Sequence, residues 1–235
     1  YQRPPLSKAY LKSELEEPRL YLRPAEFYEA QKIELHLGVR ATGIDRRAKI
    51  VSTDDGGAHS YDVLLIATGA PPRQITAPGA DLRGVHYLRT LADSDSLKPM
   101  LSAPGRVVIV GAGYIGLEVA AVARQAGREV TVLEMAPRVL ARVASEPVSE
   151  FYQTLHRNNS VDLRLGAAFA AFEGEGRLHA ARLKDGDVID CETALVGIGA
   201  APEVTLAKES GLEIDNGVVV DEYARTSDPA IFAAG

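Results

Sequence analysis

Arg106-Val107-Val108-Ile109-Val110-Gly111-Ala112-Gly113-Tyr114-Ile115-Gly116 is the stretch whose reading decides the fold. Consecutive apolar residues from Val107 to Val110, stopped by glycine, read as a four-residue apolar strand. The apolar run that continues to Ala126 reads as a helix, with Gly127 as its C-terminal stop. Strand, glycine turn and helix in that order aim the free N–H groups of a helix N-terminus over the turn, a geometry that favours a pyrophosphate. Gly-x-Gly-x-x-Gly alone is a weak signal, but here its structural context is satisfied. Gly111 permits the tight turn, Gly113 lets phosphates approach the backbone, and Gly116 with Ala120 allows the helix to pack closely on the strand.

The next apolar run, Val130-Thr131-Val132-Leu133, ends in Glu134, 23 positions after Gly111 and near the roughly 20 expected of an acid that binds an adenosine ribose. A carboxylate there accepts hydrogen bonds from both ribose hydroxyls and repels a 2′-phosphate, so the pattern predicts NAD(H) rather than NADP(H). A tight packing corner would explain the glycines and leave Glu134 unexplained. Arg138 and Arg142 follow on the adjoining loop. An arginine there can receive a 2′-phosphate, pack on the adenine or be solvated, and the sequence leaves the three open.

Working outward, Glu146 to Asn158 reads as a helix and Val161 to Leu165 as a strand. Segments near 168–173, 177–183 and 187–190, with Lys184-Asp185-Gly186-Asp187 as a turn, predict a three-stranded antiparallel meander. Ala194 to Gly199 is a buried strand ending in glycines, Gly197 and Gly199. Upstream, the pattern predicts a helix from Pro24 to Gln31, a strand over Ile33–Leu37, and a hairpin joining Lys49–Ser52 to His59–Tyr61. Val63 to Ala67 reads as a strand buried on both faces, and residues 71–105, with five prolines and no sustained periodicity, as a boundary or linker. The class is α/β: a Rossmann-like, dinucleotide-binding fold in which a parallel sheet carries helices and an inserted antiparallel meander.

The 235 residues include 26 basic and 32 acidic side chains, a net charge of -6 that argues against a nucleic-acid partner. No apolar run approaches the ~20 residues of a membrane-spanning helix, and the start carries no signal-peptide core, so a cytoplasmic protein without membrane association is expected. The single cysteine, Cys191, forms no internal disulfide or redox pair, which leaves electron chemistry to a bound cofactor. His36, His59, His86, His156 and His179 show no ligand spacing, so no metal site is expected. No Gly-x-Ser-x-Gly elbow is present, and no catalytic side chain is singled out. The chain opens without methionine and stops in a strand-like run, which reads as an internal piece of a longer protein.

The stretch Tyr1-Gln2-Arg3-Pro4-Pro5-Leu6-Ser7-Lys8-Ala9-Tyr10-Leu11, then Ala67-Thr68-Gly69, Tyr87-Leu88-Arg89-Thr90, Gly111 to Glu118, Ala136 to Val143 and Thr226-Ser227-Asp228-Pro229 together resemble the FAD-dependent ferredoxin reductases of oxygenase systems, of the putidaredoxin and rubredoxin reductase type. The resemblance runs the length of the chain. It implies an FAD/NAD(P)-binding fold with a partial FAD domain over 1–103, an NAD domain over 104–225 and a return to the FAD domain over 226–235. An upstream fingerprint for FAD, the aspartate that follows Gly235 in the family and a C-terminal domain would lie outside this piece, which by itself is expected to be inactive.

The same resemblance implies that Lys8 lies near the flavin ring with Arg3 and Pro4 in the same wall, that Ala41 contacts the FAD adenine through its backbone, and that Arg89, Thr68 and Gly69 contact FAD. It also implies that Glu118 meets the nicotinamide carboxamide, that Ile115 sits beside the cofactor, and that Gly197 and Gly199 let the nicotinamide pass. A glutamate within an apolar helix face needs a partner, which agrees with that role for Glu118. The function implied is hydride transfer from NADH to FAD, then single electrons to a small iron-sulfur ferredoxin or rubredoxin. The alternative is an NADH-responsive signalling flavoprotein resembling apoptosis-inducing factor.

Overall fold

The computed structural model describes residues 1–235, the Met100 side chain excepted. In chain order the elements are α1 (Ala25–Ala30), β1 (Ala41–Asp45), β2 (Ile50–Thr53), β3 (Ala58–Ser60), β4 (Leu64–Ile66), β5 (Val85–His86) and α2 (Leu91–Ser102). There follow β6 (Arg106–Val110), α3 (Tyr114–Gln125), β7 (Glu129–Glu134), α4 (Glu146–Asn158), β8 (Val161–Leu165), β9 (Phe169–Gly174), β10 (Leu178–Leu183), β11 (Val188–Asp190) and β12 (Thr193–Val196). The last are α5 (Thr205–Glu209), β13 (Ile214–Asp215), β14 (Gly217–Val218) and β15 (Ile231–Ala233). Residues 1–22 and 72–199 make one unit; residues 23–71 and 200–235 make the other.

The first unit is built on a five-stranded parallel sheet in the order β5-β12-β6-β7-β8. Alternate residues of β6 serve two cores. Val107 and Ile109 join Leu97, Leu117, Val119 and Val132 on the helical face, whereas Val108 and Val110 join Phe172, Leu178, Leu183 and Ile189 on the face covered by the meander β11-β10-β9. A strand covered on both sides has no position for a polar side chain, which is why β6 reads as an unbroken apolar run. Gly127 adopts φ +77 and ends α3 as the sequence predicts. The expected mixed α/β architecture with a parallel sheet and an antiparallel meander is therefore found.

Residues 71–105 are more ordered than their prolines suggest. Thr90 accepts from Asp93 N at 3.2 Å while Asp93 Oδ2 accepts from Thr90 N at 2.7 Å, a reciprocal cap that starts α2. Pro99 lies within that helix, and β5 pairs with β12, so the segment belongs to the first unit. The compact units are accordingly cut elsewhere than at 103/104 and 225/226.

In the second unit β1, β2 and β3 form an antiparallel meander, β4 pairs in parallel with β15, and Ile66, Ala207, Leu212 and Ile231 are the buried core. The hairpin at Asp54–Gly57 is present. No strand forms over Ile33–Leu37: no neighbour offers it a ladder, and Leu35 and Leu37 stay exposed. Strands that the sequence pattern does not announce are β1, whose Thr42 and Gly43 weaken its apolar signal, and the two-residue β13 and β14, too short to show alternation, as is β5 in the first unit. Nor is β4 buried on both faces. It has one partner strand in this unit, and Val63 and Leu65 are 65% and 57% exposed.

One ion pair organises this unit. Arg46 Nε donates to Asp228 Oδ2 at 2.8 Å, Asp228 Oδ1 accepts from Ala230 N at 3.0 Å, and Arg46 Nη1 donates to the Gly211 carbonyl at 3.0 Å. The Arg46 guanidinium, followed by the Ala230 amide, holds the Asp228 carboxyl below the usual carboxylate range. A depressed carboxyl adds stability that is complete above its unfolded value of about 3.9 and is lost as pH falls through the folded value. Asp228→Asn is therefore expected to lower stability at pH 7 by about 1 kcal/mol, after allowance for partial solvent screening, and to flatten the loss below about pH 4. Urea melts of parent and variant across that range check it; parallel acid limbs would refute the assignment.

Candidate functional site

From β6 the chain runs through α3, β7 and α4 to β8 on one side, while β12 and β5 lie on the other, so the topology switches between β6 and β12. In open parallel sheets the crevice beyond the C-terminal ends of two such strands is where ligands bind. Here its lips are residues 111–113 and 197–199, both within the first unit.

The three fingerprint glycines meet three different surroundings. Gly111 has φ +104, and a Cβ on it would lie 2.5 Å from the Gly197 carbonyl oxygen. A Cβ on Gly116 would run into the Gly111 carbonyl, so that glycine seats α3 against the turn. Gly113 is unlike both. Its φ is -79, and a Cβ would find its nearest neighbour, Gly197 O, 3.9 Å away. The protein itself leaves that space open, directly before a helix start that no side chain caps. A phosphate group fits an uncapped N-terminus approached through such a gap.

Glu134, half-buried at the end of β7, faces this turn. Its Oε2 accepts from Ala112 N at 2.7 Å and its Oε1 from Ala136 N at 2.8 Å, while the Ala112 carbonyl accepts from Leu140 N at 3.0 Å. The acid thus ties the glycine turn to its own loop and keeps further lone pairs that could accept from a ligand's hydroxyls. Arg138 does not reach outward. It donates to the Ala144 carbonyl and Ser149 Oγ through Nη1 and to the Ala141 carbonyl through Nη2, at 2.7 to 3.0 Å. Two loop carbonyls and a hydroxyl of α4 occupy its guanidinium, so it takes none of the three expected roles and staples its own loop to α4. Arg142 is exposed, and its Nη1 lies 4.0 Å from the Cβ position of Gly199, whose φ is +103.

Around α3 the structure joins residues far apart in sequence. Glu118, with its side chain 26% exposed, pairs with Lys8 Nζ at 2.7 Å through Oε1 and accepts from Ser7 Oγ at 2.5 Å through Oε2. Lys8 Nζ also reaches the Pro4 carbonyl at 3.3 Å. Ile115, in the first turn of α3, is 39% exposed. Burial, and after it the neighbouring Arg3 charge, hold the Arg89 guanidinium below its ordinary pKa. Neither guanidinium has an ion-pair partner among the described residues, an arrangement that suits an anionic ligand. Ser7 was not legible as a site residue; its only signal is its place beside Lys8.

In the second unit Ala41 lies exposed at the start of β1. Thr68 Oγ1 donates to the Glu203 carbonyl at 2.7 Å, and the Gly69 carbonyl accepts from Glu203 N at 2.8 Å with Gly69 at φ +74. Cys191 is fully buried in the first unit, where burial pushes its thiol up to about 12. Among the described residues no group of three or more His, Cys, Asp and Glu could hold a metal ion, and no helix is long and apolar enough to cross a membrane.

Comparison with known proteins agrees with this geometry. The family model described as pyridine nucleotide-disulphide oxidoreductase matches residues 1–235. The chain belongs to that family. Within the family it is 44% identical, along its whole length, to rhodocoxin reductase of Rhodococcus erythropolis, covering 55% of that protein. It is 42% identical to rubredoxin-NAD(+) reductase of Pseudomonas putida, again over the whole chain and 61% of the relative. Among solved structures, the ferredoxin reductase for the CYP199A2 system from Rhodopseudomonas palustris superposes with a TM-score of 0.97 at 42% identity, over 100% of this chain and 58% of that one. The putidaredoxin reductase in a covalent complex with putidaredoxin gives 0.96 at 42% identity, over 99% and 57%. The chain spans little more than half the length of these relatives.

Proposed function

We propose that the crevice at the switch point binds NADH and that the protein works as an FAD-dependent oxidoreductase, passing electrons to a small iron-sulfur ferredoxin or rubredoxin that serves an oxygenase. The observation that carries the nucleotide reading is the carboxylate of Glu134, held by Ala112 N beside the open space at Gly113. The choice of acceptor rests on the relatives named rhodocoxin, rubredoxin and putidaredoxin reductases. No observation favours the signalling alternative, and a cytoplasmic setting goes with the reading.

In this reading the residues bind and orient. The α3 N-terminus and Gly113 receive the pyrophosphate, Glu134 the adenosine ribose, Glu118 the nicotinamide carboxamide, with Ile115, Gly197 and Gly199 bordering its path. Lys8, Arg3, Pro4 and Arg89 of the first unit, and Ala41, Thr68 and Gly69 of the second, contribute to FAD binding. Bound FAD supplies two-electron uptake from NADH and one-electron release to the carrier. Positioning then accounts for the rate without a general acid or base.

The experiment is a pair of titrations. NADH should bind at least about tenfold more tightly than NADPH, because a carboxylate at the ribose rejects a 2′-phosphate. Glu134→Ala should weaken NADH by about tenfold and narrow that gap. Equal or tighter binding of NADPH by the parent chain would overturn the assignment.

A further inference from the structure

We propose that Ser7 is a positioning residue for nicotinamide recognition, acting through Glu118 by a hydrogen bond that fixes the orientation of that carboxylate. Ser7 closes the 3-10 helix Pro4–Ser7 and is 1% exposed, so water does not reach its hydroxyl in quantity. It has one proton to donate and two acceptors in range, Glu118 Oε2 at 2.5 Å and the Pro4 carbonyl at 3.5 Å. A serine with only a local role would satisfy itself on the carbonyl three residues back. This one spends its proton on a side chain 111 positions away, and the carbonyl is left as the longer alternative.

Lys8 repeats the arrangement. Its ammonium sits 2.7 Å from Glu118 Oε1 and 3.3 Å from the same Pro4 carbonyl. Each oxygen of Glu118 is therefore held by one donor, and both donors share one fallback acceptor. A carboxylate has about four lone-pair sites, so Glu118, held by two donors, keeps the others for an arriving carboxamide N–H, and its orientation decides where they point. Lys8, with its side chain 49% exposed, can also turn to water, whereas buried Ser7 has only the two choices. Ser7 is thus the member that fixes the carboxylate plane before the ligand arrives.

The inference rests on the pyridine-nucleotide reading of the crevice, and the test separates the two. NADH and ADP-ribose, which carries the adenosine and pyrophosphate but no nicotinamide, are titrated into the 235-residue chain and its Ser7 variants by calorimetry. Ser7→Ala should bind NADH about tenfold more weakly and ADP-ribose unchanged, as expected when the carboxylate that meets the nicotinamide loses the hydrogen bond that orients it. Ser7→Thr, which keeps the hydroxyl, should return NADH affinity to within about twofold of the parent. Ser7→Cys, near serine in volume but a weak donor, should fall between and covers the case in which threonine is too large. Unchanged NADH affinity in both Ser7→Ala and Ser7→Cys, or equal weakening of NADH and ADP-ribose, overturns the proposal. Failure of the parent to bind ADP-ribose would overturn the nucleotide reading itself, and this inference with it.

Discussion

Gly113→Val is expected to weaken NADH binding by more than about a hundredfold while the melting temperature stays within a few degrees of the parent's. The residue sits at φ -79 and ψ -174, extended backbone in which a branched side chain is comfortable, so no conformational strain is added. The nearest atom to its Cβ position is 3.9 Å away, an ordinary contact, so the Cβ itself displaces nothing. What the valine would fill is the gap through which a pyrophosphate reaches the uncapped start of α3. Calorimetric titration with NADH and a thermal scan of the same sample decide the matter. A folded Gly113→Val chain that binds NADH as the parent does would remove the crevice from consideration as the nucleotide site.

Two residues earlier the same kind of change should have the opposite effect. Gly111→Ala places a Cβ 2.5 Å from the Gly197 oxygen and 2.9 Å from the Gly197 carbonyl carbon, at a φ of +104 that side chains rarely adopt. Both obstacles are backbone atoms at the end of β12, a strand paired on both sides, so neither can step aside cheaply. Backbone strain and overpacking together should cost about 3 kcal/mol, which for a chain of this size lowers the melting temperature by roughly 10 °C. Differential scanning calorimetry tests this directly. A melting temperature within about 2 °C of the parent's would show that the lips of the crevice yield more readily than their contact implies.

Much of this molecule is legible without its structure. The unbroken apolar run at Val107–Val110 marks β6 as a strand, and its lack of alternation has its reason in the cover that the fold puts on both sides. Glycine spacing, the helix stop at Gly127 and the acid at Glu134 are local signals. Each depends on a few neighbouring residues, and each appears where the pattern puts it. The meander over residues 169–190 is equally local, since turn chemistry at Lys184–Asp187 and alternation define it. Three local signals misled, the first being the apolar run Val63–Ala67, which has an exposed face. The alternating Ile33–Leu37 segment lacks a strand to pair with, and the proline-rich run before Pro104 conceals a capped helix.

What only the tertiary structure decided is which distant groups meet. Glu118 reads as a costly polar residue on an apolar helix, and its partners, Ser7 and Lys8, lie more than a hundred positions earlier, placed by the packing of the 3-10 helix Pro4–Ser7 on α3. Arg138 reads as a candidate phosphate ligand until the carbonyls of Ala141 and Ala144 close around it. The difference between Gly113 and Gly111 is likewise invisible in the motif, for it depends on how near β12 brings Gly197. Periodicity and turn chemistry act over a few residues and are written in the order of the chain. Hydrogen-bond partners and steric gaps depend on distances of a few tenths of an ångström between segments, which only the packed fold establishes.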